Sequence, residues 1–350
     1  MWCWNVCILQ KSLQREHKTL TCNQTNRRPS FFILLALLPI LASCTGLEKA
    51  PPHSSKAALQ EVASLQVASV SAFKQKDEQL QRIYYKVRIA NLELCKNHTR
   101  TVVGARFDTI SNHPKTIREA QAYVYGITNA ISATSVVPGS VADQSGLRIG
   151  DQIVTLNGQK VGGENWIKRT LLPAIGRGGL LSITVKRANG LNSIEMQPVK
   201  ACSYPVELIY DNDITAITDG NRITVTTGAM RFFTSDDEIA FAIAHEMSHN
   251  LLGHVGSNQS YEYASDYLAG YLMERAGYNV RHGSHFFRRL AAEDPESIPL
   301  DRHGPHPSTT LRVILLDDLH TEIERKRELN ISLIPNITPQ KSIWSIISNK

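Results

Sequence analysis

The sequence predicts an α+β chain, with helices on its N-terminal side, a β-rich module in the middle and a mainly helical domain after it. Three observations carry this prediction. Apolar positions between Ala57 and Leu94 recur near helical spacing. Short alternating runs broken by Pro and Gly turns fill Val102 to Val199. An apolar run from Ile239 to Ala244 leads into the histidine-bearing stretch AIAHEMSHNLLGH, Ala242 to His254. With 350 residues the chain can bury two modest cores. The boundaries read as a leader over 1–43, a tether with N-terminal helices over 45–101, the β-rich module over 102–200, the helical domain over 201–330 and a tail over 331–350.

The formal charge of +6 invites a polyanion reading, but its distribution opposes one. Lys11, Arg15, Lys18, Arg27 and Arg28 stand against Glu16 alone within the leader, and little excess remains for the rest. No basic face needs nucleic acid to explain it. The stretch RRPSFFILLALLPILASC has the layout of a secretory signal: a basic pair, an apolar run too short to span a bilayer, then small residues. Its ending, LASC, resembles a bacterial lipobox, which implies lipidation of Cys44. Thr45, rather than Asp, favours the outer membrane over the inner one. Cys3, Cys7 and Cys22 fall in the leader, so Cys95 and Cys202 remain, and two cysteines in an exported chain favour a disulfide over a metal site.

After the tether TGLEKAPPHSSK, the apolar positions Leu59, Val62, Leu80, Ile83, Tyr84, Val87 and Leu94 predict one or two amphipathic helices, interrupted by the polar KQKDEQ. Within the β-rich module, VVPGSVADQSGLRIGDQIVTLNGQKV resembles the PDZ domains of bacterial exported proteases. Such a domain binds extended peptide by adding it as a strand to a sheet edge. The carboxylate-binding loop would fall near YGITNA, Tyr125 to Ala130, where no clear match is seen. The final ELNISLIPNITPQKSIWSIISNK reads as a strap or a loose tail.

On a helix, residues four apart share a face, so His245 and His249 can aim two imidazole nitrogens at one metal ion. Glu246, one step round, is placed to act on a water that zinc acidifies towards neutral pKa. The preceding TSDDE supplies the helix start. Ser235 can cap it, Glu238 completes a capping box, and Asp236 and Asp237 favour the first turn. His254 lies nine residues after His245, which on a continuing helix is the opposite face, so it reads as structural. A third ligand is found in YEYASDYLAGYLMERAGYN, where Glu262 and Asp266 again share a face. Glu262 completes a His/His/Glu site, and Asp266 can accept a hydrogen bond from the far nitrogen of a ligating histidine.

Taken together, HEMSHNLLGH, Glu262 with an aspartate four residues on, AGYN and HGPHPSTTLR resemble the M48 (Ste24/HtpX-like) zinc metallopeptidases, in the exported lipoprotein form with a PDZ ahead of the catalytic domain. The resemblance implies a mainly helical gluzincin domain with a small edge strand that aligns substrate backbone. It implies one zinc ion on His245, His249 and Glu262, Glu246 as general base and Asp266 behind the ligands. Thr215-Ala216 departs from the Asn-Ala frequent in that family, which withdraws the contact made by the asparagine. His303 reads as an incidental loop histidine. His306 matches the segment that approaches the zinc, and two roles are open to it: stabiliser of the oxyanion, which is favoured, or a cap on the open metal position.

The function expected is zinc-dependent hydrolysis of peptide bonds in misfolded or misassembled envelope proteins, by a chain lipid-anchored and facing the periplasm. The alternative from another class is a peptide-binding, chaperone-like lipoprotein that does not cut. Glu246 separates them, since a protein that only holds clients has no use for the base.

Overall fold

The computed structural model describes residues 55–162, 165–256 and 258–336. The leader, Cys44 and the tail from 337 onward lie outside the described residues. Helix α1, Lys56–Ala90, is a single helix. It contains no Gly or Pro, and KQKDEQ does not break it because all of its residues except Asp77 are good helix formers, with Lys74 paired to Glu78 at 2.6 Å. Its later turns bury Leu80, Ile83, Tyr84 and Val87 in the core of the helical domain.

The chain enters the middle module through β1, Thr99–Val102, and leaves it through β8, Val199–Cys202, which pair antiparallel from Thr99↔Cys202 to Val102↔Val199. A disulfide joins Cys95 to Cys202 at this neck, across 107 residues, with Cα atoms 5.6 Å apart. Buried Arg88 of α1 donates to the Cys202 carbonyl from Nε and Nη2, at 3.1 and 2.6 Å. Both strands of the neck are thereby tied to the helical domain.

Beyond the neck lie β2 (Ala105–Asp108), α2 (Arg118–Tyr125), β3 (Ser132–Val136), α3 (Val141–Gln144), β4 (Gln152–Leu156), β5 (Gln159–Lys160), α4 (Leu172–Arg177), β6 (Leu181–Arg187) and β7 (Gly190–Met196). The sheet order is β2-β3-β4-β6-β7, with β5 on β4. Alternation along β6 buries Leu181, Ile183 and Val185 while Ser182, Thr184 and Lys186 point away. Those residues join Ile153, Leu156, Leu171, Ile194 and Met196 in a core of the module's own. β2 is an edge strand. Tyr125–Ala130 leads instead into β3, which is flanked by β2 and β4, so the place expected for peptide capture sits before an interior strand.

The last domain opens with a three-stranded sheet in the order β10 (Ala216–Thr218), β11 (Ile223–Thr226), β9 (Val206–Ile209), antiparallel then parallel. Then come α5 (Thr227–Phe232), α6 (Asp236–Leu252), α7 (Gln259–Arg275), α8 (Arg281–Glu293) and α9 (Thr309–Glu328). α6 is buried on every side from Glu238 to Asn250, which explains why its sequence is apolar all round rather than striped. Its start follows the capping logic: Ser235 Oγ accepts from the Glu238 N–H, and Glu238 Oε2 accepts from the Thr234 N–H at 2.8 Å. After α9, the described part of the tail is held as a strap. Arg275 donates to the Leu333 carbonyl at 3.2 Å and Lys326 to the Ile334 carbonyl at 3.0 Å. No helix among the described residues is long and apolar enough to cross a membrane.

Candidate active site

His245 and His249 project from one face of α6 towards Glu262 in the first turn of α7. Their Nε2 atoms are 3.1 Å apart. Glu262 Oε2 lies 3.4 Å from His245 Nε2, and Oε1 lies 3.5 Å from His249 Nε2. All three residues are buried and offer ligand atoms within 4.8 Å of one another, and among the described residues they are the one such group. Tetrahedral zinc bonds of about 2.0–2.1 Å set ligand atoms roughly 3.3 Å apart, so the observed spacings fit that ion. Glu262 Oε2 is buried and meets its nitrogen neighbours only at long range, His245 Nε2 and His306 Nδ1 at 3.4 Å and Arg312 Nη1 at 3.5 Å.

Behind the ligands stands a second set of contacts. His245 Nδ1 donates to Asp266 Oδ1 at 2.8 Å, which leaves the lone pair on Nε2. Asp266, fully buried on α7, is held by Arg312 of α9 through two parallel bonds of 2.6 Å from Nε and Nη2. The Arg312 guanidinium lies over the Phe287 ring, 4.0 Å from its centroid, and 3.5 Å from Glu262 Oε2. His306 Nδ1 is 3.4 Å from the same carboxylate oxygen, with its side chain partly exposed. His303 is exposed.

The electrostatics divide the titratable groups by neighbour. Burial pushes the Glu246 carboxyl up to about 8, with the nearby His245 charge opposing it. Burial would lower His245, yet its bonds to Asp266 and Glu262 raise it to about 9 in the metal-free protein. Burial and the His245 charge depress His249 to about 3. Glu262 resists burial because hydrogen bonding from His245 and His306 holds it well below the usual carboxylate range. Asp266 is likewise lowered against its burial, chiefly by Arg312.

Thr218 belongs to β10, which lies beside α6 and has no strand on its outer side among the described residues. Thr218 Oγ1 donates to Asn250 Oδ1 at 2.7 Å, fixing that strand to the metal helix. Thr215, at the departure from the family's asparagine, spends its backbone on Thr226: its N–H donates to Thr226 Oγ1 at 3.2 Å and its carbonyl accepts from the Thr226 N–H at 3.0 Å.

His245, Glu246, His249, Glu262 and Asp266 are thus gathered in one buried cluster with His306 at its edge. Two further members escaped the sequence reading. Arg312, the last residue of HGPHPSTTLR, has its partner Asp266 46 residues away, beyond the reach of local spacing. His254 was placed on the opposite face, but the helix stops at Leu252 and the projection fails there: its Nδ1 lies 3.1 Å from His249 Nδ1. The signal was Gly253, the commonest residue where a helix reverses.

The family model for peptidase family M48 matches residues 191–261, which include His245, Glu246 and His249 and end one residue before Glu262. The model for the PDZ domain matches residues 133–171. Among solved structures, the HtrA3 PDZ domain bound to a phage-derived ligand (FGRWV) is similar at 24% identity, covering 29% of this chain and 89% of that one, with a TM-score of 0.23. No curated protein matches the chain. The chain carries a PDZ domain followed by a domain of peptidase family M48.

Proposed function

We propose that the chain is a zinc-dependent endopeptidase of the bacterial envelope, anchored by lipid on Cys44 and facing the periplasm, that hydrolyses peptide bonds of misfolded or misassembled envelope proteins. The observation that carries the enzymatic part is the buried carboxyl of Glu246 beside a His/His/Glu set at zinc spacing. Bound at His245, His249 and Glu262, zinc supplies Lewis acidity that brings the pKa of water towards 7.

The chain's own residues do the rest. Glu246, one residue from His245 on the same helix, takes the proton of the attacking water and passes it to the leaving amine, the general acid–base role. The outer edge of β10 aligns the substrate backbone, and Thr218 ties that strand to Asn250 of the helix that carries the base. His306, partly exposed at the edge of the cluster and 3.4 Å from Glu262 Oε2, supplies an N–H donor to the carbonyl oxygen as negative charge grows on it, the oxyanion role. Asp266 and Arg312 hold His245 in its tautomer.

The PDZ domain supports delivery of extended peptide. Among the described residues β2 has no strand on its outer side, and Arg106, Phe107 and Asp108 of β2 line a cavity of about 200 Å³ together with Phe73, Gln121, Tyr125 and Thr134. A segment added there gains main-chain hydrogen bonds irrespective of sequence, with the cavity left to select side chains. The envelope setting rests on the signal-like leader and LASC, and on a disulfide that an oxidising compartment maintains. The test is cleavage of casein by the purified protein with its zinc measured in parallel. Cleavage that a chelator stops and added zinc restores supports the reading; full zinc without cleavage favours the peptide holder that does not cut.

A further inference from the structure

The ring of His254 stands directly behind one of the metal ligands, and a helix stop puts it there. Gly253 has a φ of +68°, in the left-handed region. Its N–H donates to the Asn250 carbonyl at 3.2 Å, and the His254 N–H donates to the His249 carbonyl at 3.1 Å. This is the paired bonding of a Schellman stop, and it folds residue 254 back over the last helical turn. His254 Nδ1 then lies 3.1 Å from His249 Nδ1. Tyr261 at the start of α7 stacks on the His254 ring, with centroids 4.1 Å apart and planes 8° from parallel. Ser265 Oγ approaches Nδ1 at 3.4 Å. The ring is therefore held from both helices.

Two imidazole nitrogens facing each other at 3.1 Å share one proton between them. His249 Nε2 faces His245 and Glu262, so a cation at that point needs its lone pair, and the single proton of neutral His249 must then sit on Nδ1. His254 Nδ1 is the atom that receives it. We propose that His254 is a positioning residue for the metal: it accepts the Nδ1–H of His249 and holds that ring in the tautomer and orientation that present Nε2 to the ion. The two histidine ligands are then supported differently, His245 by the carboxylate of Asp266 and His249 by a neutral ring. This inference rests on the reading of the triad as a zinc site.

The test is zinc affinity, measured on the full chain by competition with a chromophoric chelator, for the wild type, His254→Phe and His254→Asn. Phenylalanine keeps the stack on Tyr261 and loses the acceptor; asparagine loses the stack and keeps an amide oxygen near the place of Nδ1. Loss of a supporting partner lowers metal affinity by about 10- to 100-fold, and that fall is expected for His254→Phe while His254→Asn stays close to wild type. Melting of the metal-free proteins, expected to be alike, separates this effect from a general loss of structure. Wild-type affinity in His254→Phe overturns the inference, as does an equal fall in both variants. If His254→Phe does not fold, His254→Ala takes its place with the same two outcomes. A wild-type chain that takes up no zinc fails differently, since it removes the proposed metal site itself.

Discussion

The metal cluster and the PDZ edge keep their capacities in different parts of the chain. At the cluster, side chains do everything: His245, His249, Glu262 and Asp266 are each at most 4% exposed, and each is braced by another side chain. At β2, which has no strand on its outer side among the described residues, the groups proposed to bind are backbone N–H and C=O, and side chains of the same strand line a cavity. The lesson is that one region fails when a single residue type changes, while the other tolerates most changes that leave the strand in place.

Removing one ligand gives the largest effect. Glu262→Ala should lower zinc affinity by more than the roughly hundredfold ceiling for a supporting residue, read as metal content after dialysis. Stoichiometric zinc retained in that variant would break the assignment of the third ligand.

The neck joins the two regions, and its disulfide comes next. Closing 107 residues restricts the unfolded chain, so replacing Cys95 and Cys202 together with Ser should cost up to about 4–5 kcal/mol in the chain-entropy model, less any native strain. Denaturant titration measures it. A shift in midpoint confined to the PDZ domain, with the helical domain unmoved, would contradict the two-sided tie formed by Arg88 and the β1–β8 pair.

The backbone character of the PDZ edge has its own readout. A peptide with an apolar C-terminal residue, at about ten times its Kd, should slow amide exchange in Ala105–Asp108 by roughly tenfold. Protection at Tyr125–Ala130 instead would return peptide capture to the loop first expected from the sequence.

The smallest effect concerns the seam between α1 and α6. Asp236 accepts from Gln79 at 2.9 Å and pairs with Arg82 at 2.8 Å. Partial burial opposes ionisation, but those two contacts outweigh it and hold the carboxyl below its usual 3.8. A depressed carboxyl contributes stability above the unfolded value, and that contribution disappears as pH falls through the lowered folded value. Asp236→Asn should therefore lower stability at pH 7, by under about 1 kcal/mol because the pair is solvent-screened, and change nothing near pH 2. A loss of equal size at both pH values would show that charge is not the cause.

What was legible in the sequence follows the range of the interactions. The capping of α6 by Ser235 and Glu238, the shared face of His245 and His249, and that of Glu262 and Asp266 all depend on spacings of three or four residues, which a helix makes spatial. The ties that order the site across elements were not legible. Asp266 could be assigned behind a histidine, but nothing local names Arg312 as the cation that holds it. His254 was misplaced because angular projection assumes a helix that continues, and Gly253 ends it. The position of β2 at the end of the sheet was not legible because strand order is set by backbone pairing, which side-chain identity does not encode. α1 runs unbroken through KQKDEQ because polarity interrupts an apolar stripe without interrupting the helix that carries it.

The measurement that bears most directly on the central claim is Glu246→Gln, assayed for zinc content and for casein cleavage on the same preparation. The ligand set is untouched and only the proton carrier is removed. The account predicts wild-type zinc and cleavage reduced by at least about a hundredfold, the lower end of what a general base contributes. Full cleavage by a zinc-loaded Glu246→Gln chain would contradict it.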